Sequence, residues 1–86
     1  MSSEPELAVE RARSQMLYDR ARMRAAHREA ARLYAAYNEA EGGDGFEAWD
    51  DAVKEAARAT RRYNVAVLCL NNAKLKGCNA NAAVHG

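Results

Sequence analysis

Residues Glu41-Gly42-Gly43-Asp44-Gly45-Phe46 hold three of the chain's five glycines, and their reading decides the fold. Glycine is the poorest helix former after proline, and a cluster of it ends a helix where a single one does not. The sole proline, Pro5, falls in the first turn of any helix that starts near residue 4, where its missing N–H costs nothing. Gly77 and Gly86 are the remaining breakers. This punctuation predicts an all-α chain of two long helices, about 4–41 and 45–76, with a short flexible tail over 78–86. The start signals agree, because Ser3 with Glu6 and Asp44 with Glu47 stand at the spacing of a capping box. Lys74 and Lys76 before Gly77 suit the negative end of a helix dipole.

Both segments carry apolar stripes of helical period. The first places Val9, Met16, Met23, Ala30 and Tyr37 at one heptad position and Ala12, Asp19, Ala26, Leu33 and Ala40 at the other. The second alternates spacings of three and four through Phe46, Trp49, Val53, Ala56, Thr60, Tyr63, Val67 and Leu70. A short loop forces the helices antiparallel, so residue i should lie beside residue 86 minus i. Tyr37 then meets Trp49, Leu33 meets Val53 and Ala30 meets Ala56. A weak repeat agrees with this register. Arg28-Glu29-Ala30-Ala31-Arg32 with Tyr37-Asn38 matches Lys54-Glu55-Ala56-Ala57-Arg58 with Tyr63-Asn64, equating Ala30 with Ala56 about a local pseudo-twofold axis.

Composition limits what such a hairpin can do. Of 86 residues 20 are Ala, against six Leu, five Val and no Ile, so a deep cleft behind a thick core is excluded and one small domain is the most the chain can form. The longest apolar run, Val65 to Leu70, is far short of the roughly 20 residues that span a bilayer. The first six residues are acidic where a signal peptide would be basic. Cys69 and Cys78 have neither a zinc nor a thioredoxin spacing, and a cytoplasmic location is the expectation. Cys69 reads as a small interface hydrophobe and Cys78 as an accessible thiol. His27 and His85 lack companions at metal spacing, no catalytic dyad stands out, and Trp49, Tyr37 and Phe46 read as an aromatic plug of the core. The expectation is a protein without cofactor, metal, membrane segment or small-molecule substrate, and not an enzyme.

Charge is more informative. Residues 38–55 hold seven acids against Lys54, a balance of −6, while the remainder holds twelve bases against five acids, a balance of +7. The hairpin should be a rod with an acidic turn end and a basic open end. Arg13, Arg20, Arg24 and Arg28 share one side of the first helix and form a basic ridge suited to phosphates, which makes nucleic-acid binding the alternative function. Asp19 interrupts the apolar stripe, and a local rotation that lets it reach water is the expected solution, with Arg22 and Arg62 as available partners.

The run Val65-Ala66-Val67-Leu68-Cys69-Leu70 covers every side of a helix, whereas one neighbour buries only one side. Val65, Leu68 and Leu75, with Arg61 in the same stripe, are therefore expected to form a second contact surface, extended at the open end by Leu7, Leu17 and Tyr18. An apolar centre rimmed by arginine has the make-up of a protein interface. These features lead to a non-catalytic protein–protein interaction module acting by occupancy, as an adaptor, an assembly factor or a small inhibitor of the kind encoded by phages and mobile elements. Its partner is another protein or a second copy, the latter completing a four-helix bundle as a homodimer.

Overall fold

The computed structural model describes residues 4–85, with the side chains of all but Pro5 and residues 77–85. Helix α1 spans Glu4–Glu39 and helix α2 spans Phe46–His85. Between them Ala40 is extended and Glu41–Gly43 form one tight turn. The helices pack antiparallel into a hairpin of 68 × 21 × 13 Å. Reversal within so few residues requires backbone that L side chains avoid, and Gly42, Gly43 and Gly45 all take positive φ, from 76° to 90°.

The helix boundaries depart from the sequence expectation at three places, the first being α1, which ends at Glu39 rather than near Glu41. Gly45, one residue beyond the expected Asp44, precedes α2 directly: its carbonyl accepts the first helical hydrogen bond, from the Trp49 N–H, at 3.0 Å. At the other end α2 does not stop before Gly77 but runs on to His85. One interior glycine costs only about 1 kcal/mol relative to alanine, too little to end a helix already propagated over many turns. Ser3, the expected cap of α1, and the side chains of Cys78 and His85 lie outside the described residues.

The seam is made mostly of alanine. Ala30, Ala56, Ala59, Ala66 and Leu70 are buried, and no large side chain among the described residues is fully enclosed. Small residues let the two backbones approach closely, which favours dispersion over bulk burial. The register holds: Tyr37 stacks on Trp49 with ring centroids 5.6 Å apart, and His27 Nε2 lies 2.8 Å from Thr60 Oγ1, within one residue of the expected pairing. The repeat is also structural, because Glu29 pairs with Arg32 as Glu55 pairs with Arg58, each on the exposed side of a buried alanine.

Two core assignments need correction. Phe46 and Val53 are half exposed rather than internal, since a stripe seven residues in period drifts around a helix of 3.6 residues per turn and leaves them on its margin. Asp19 has not rotated outward; it is only 7% exposed. Its carboxylate is satisfied from within its own helix, where Gln15 Nε2 donates to Asp19 Oδ2 at 3.0 Å, and neither Arg22 nor Arg62 pairs with it.

Candidate interaction surfaces

A two-helix hairpin has two broad faces and two outer edges, and residues seven apart share a row along each. On one broad face the α1 row is Ala8, Gln15, Arg22, Glu29 and Ala36, and the α2 row is Ala48, Glu55, Arg62, Cys69 and Lys76. Toward the open end these rows flank one groove, marked by two hollows. Ala12, Gln15, Asp19, Arg61, Arg62, Val65, Ala66 and Cys69 line a hollow of about 440 Å³. Ala8 and Glu4 face Cys69, Asn72, Ala73 and Lys76 around a second hollow of about 470 Å³ further toward the open end. Asp19, held by Gln15, and the exposed Cys69 thiol belong to the first hollow.

Charges lie in rungs across this face. Arg22 and Arg62 occupy one rung, and Glu29 and Glu55 the next rung toward the turn. Arg32 donates to Glu29 and Arg58 to Glu55, each at 3.0 Å through Nε, and Arg62 approaches Glu55 at 3.6 Å. The hydrogen bonds from Arg32 and Arg58 hold the Glu29 and Glu55 carboxyls below the usual range, with the positive charges of Arg62 and Arg22 adding to the effect at Glu55. Arg22 also lies over the ring of Tyr18, 5.7 Å from its centroid.

The opposite face carries the His27–Thr60 pair and, near the turn, an aromatic patch. Tyr34 meets Trp49 at 5.2 Å, and Tyr34, Phe46 and Val53 are all about half exposed. Sequence periodicity missed this patch because it assigned Phe46 and Val53 to the seam. Exposed Tyr34, outside both stripes, was the available signal.

Every apolar residue of the expected patch is exposed: Leu7, Leu17, Tyr18, Val65, Leu68 and Leu75. They do not share one surface. Antiparallel helices lying side by side turn their outer edges in opposite directions, so Leu7 and Leu17 on the outside of α1 are separated from Leu68 and Leu75 on the outside of α2. Tyr18 borders a shallow hollow with Arg11 and Gln15, and Val65 borders the main groove. What the structure does bring together is Arg61, Leu68 and Leu75, seven residues apart on the α2 edge, with Arg61 and Val65 also bordering the main groove.

The basic residues divide in the same way. Near the turn Arg32, Lys54, Arg58 and Arg62 have acidic partners. Arg13, Arg20, Arg24 and Arg28 keep to the side of α1 away from the groove and, among the described residues, make no ion pair or hydrogen bond. No helix of the described chain is long and apolar enough to cross a membrane, and no three described His, Cys, Asp or Glu side chains gather as metal ligands would. Comparison of the chain with known protein families, curated proteins and solved structures finds no match.

Proposed function

We propose that this protein is a non-catalytic interaction module that acts by occupying a surface of another protein, through the outer edge of α2. The observation that carries this reading is the row Arg61, Leu68, Leu75. Both leucines are about 60% exposed, in line with an arginine that has no ion pair among the described residues. Exposed leucines at a seven-residue spacing are what a partner helix packs against, and Arg61 selects one whose apolar stripe is flanked by a carboxylate. Adaptors, assembly factors and inhibitors share this mode of action. An exposed free thiol at Cys69 fits a reducing, cytoplasmic setting.

The test is Leu68→Asp, which places a charge on the edge without touching the alanine seam. A protein captured by the wild type and identified by mass spectrometry should be lost from this variant, while its far-ultraviolet circular dichroism stays unchanged. Equal capture by both rejects the edge as the docking surface.

The four unpaired arginines support the second reading, a nucleic-acid contact along α1. It requires affinity that falls steeply with salt and on Arg24→Glu. Binding to mixed-sequence RNA and DNA that is absent, or indifferent to salt, removes it.

A further inference from the structure

The broad groove face carries a pattern that its own copy complements. The chain exposes 6505 Å², whereas a compact monomer of its mass exposes about 5,000 Å². Its radius of gyration is 19.4 Å against about 12 Å for a compact domain of this length. The surplus of roughly 1,500 Å² exceeds the ~800 Å² that each partner contributes to a stable interface. Area alone names no occupant, but the charges do. From open end to turn the rungs read Ala8 and Lys76, Gln15 and Cys69, Arg22 and Arg62, Glu29 and Glu55, Ala36 and Ala48.

We propose that a second copy of this chain packs antiparallel on the groove face, the two-fold axis passing between the arginine rung and the glutamate rung. Arg22 and Arg62 of each copy then lie over Glu29 and Glu55 of the other, because the rungs are one heptad, about 10 Å, apart and the axis exchanges them. The same operation lays the small Ala36 and Ala48 rung over Gln15 and Cys69, closing the hollow floored by Asp19 and Ala66. It also brings Lys76 to the acidic turn at Glu41 and Asp44, so that the −6 turn segment of one rod lies alongside Arg11, Arg13, Lys74 and Lys76 of the other. A parallel pairing, in which α1 lies over the partner's α2, sets arginine over arginine and glutamate over glutamate, so the charges select the antiparallel one. Glu29 and Glu55 are exposed and ionised, and a carboxylate already bonded to one arginine has lone pairs left for another. Leu68 and Leu75 line neither hollow and remain free in this dimer, whereas Arg61 and Val65 border the covered groove, so Leu68→Asp tests the docking function apart from self-pairing.

Charge swapping tests the pairing. By sedimentation equilibrium the wild type should show a two-chain mass at tens of micromolar. Arg22→Glu with Arg62→Glu, and separately Glu29→Arg with Glu55→Arg, should each weaken pairing at least tenfold while helicity is retained at matched concentration. An equimolar mixture of the two variants, in which every facing pair is again opposite in sign, should recover the two-chain mass. Register is read by Ala48→Cys, which should give an interchain disulfide to Cys69 under mild oxidation, identified by peptide mass spectrometry. A one-chain mass for the wild type at several hundred micromolar, pairing by either variant alone as tight as wild type, or a mixture that stays apart overturns the proposal. So does a Cys69–Cys69 bridge, because the antiparallel register holds those thiols about 30 Å apart.

Discussion

At Asp19 a carboxylate occupies a seam position and, among the described residues, takes its one side-chain hydrogen bond from Gln15, one turn earlier on the same helix. A charge paid for locally in this way stabilises little. Removing the donor should cost more than removing the acid. Gln15→Ala leaves the carboxylate without its partner, and we expect a loss of about 1–2 kcal/mol in urea unfolding. Asp19→Leu exchanges the charge for apolar contact with Ala66 and should be neutral or stabilising by about 1 kcal/mol, and in that background Gln15→Ala should have almost no effect. A large loss from Asp19→Leu would mean the acid does more than fill the stripe. The exposed carboxyls behave differently. Glu29 and Glu55 are depressed in the folded chain, so their contribution is complete above the unfolded value near 4.5 and is lost as pH falls through the lower folded value. Thermal midpoints should therefore fall on acidification below about pH 4.5, and Glu29→Gln with Glu55→Gln should flatten that limb, the difference shrinking in high salt.

Among the elements, the seam is the determining one. Ala56, Ala59 and Ala66 are each at most 5% exposed, so the separation of α1 and α2 is set by methyl groups. Ala59→Leu forces added volume into that contact and should destabilise by about 1–3 kcal/mol, seen as a lower midpoint by circular dichroism; an unchanged midpoint would show that the helices have room to part. The hairpin itself was legible in the sequence because its signals are local: three glycines able to take positive φ, and apolar residues recurring every three or four. Ala30 against Ala56 followed from counting about the turn. The surfaces were less legible because position around a helix drifts along a seven-residue stripe. That drift moved Phe46 and Val53 out to the margin, kept Asp19 in, and put Leu7 and Leu17 on the edge opposite to Leu68. The helix end was misread for another reason: one glycine at 77 is a weak energetic signal, and propensity alone does not say whether a long helix ignores it.

Taken whole, the molecule is a rod 68 Å long in which the buried set among the described residues is four alanines, one leucine and one aspartate, and that is little core for a hairpin of this length. If the second copy supplies the missing layer, association adds to the stability of the folded hairpin and the thermal midpoint must follow concentration. Each tenfold dilution then removes about 1.4 kcal/mol from the two-chain unit. A cooperative unit of that combined size moves by about 2–4 °C per kcal/mol, so the thermal midpoint should drop by roughly 3–6 °C per decade. Salt should lower it further, since the arginine and glutamate rungs and the opposed rod ends are exposed enough to be screened at a Debye length of about 8 Å. A midpoint independent of concentration between one and several hundred micromolar would mean that the alanine seam alone holds the hairpin. In that case the groove face would be open to a partner of different sequence, and Arg22 and Arg62 would be the first positions at which to measure its charge.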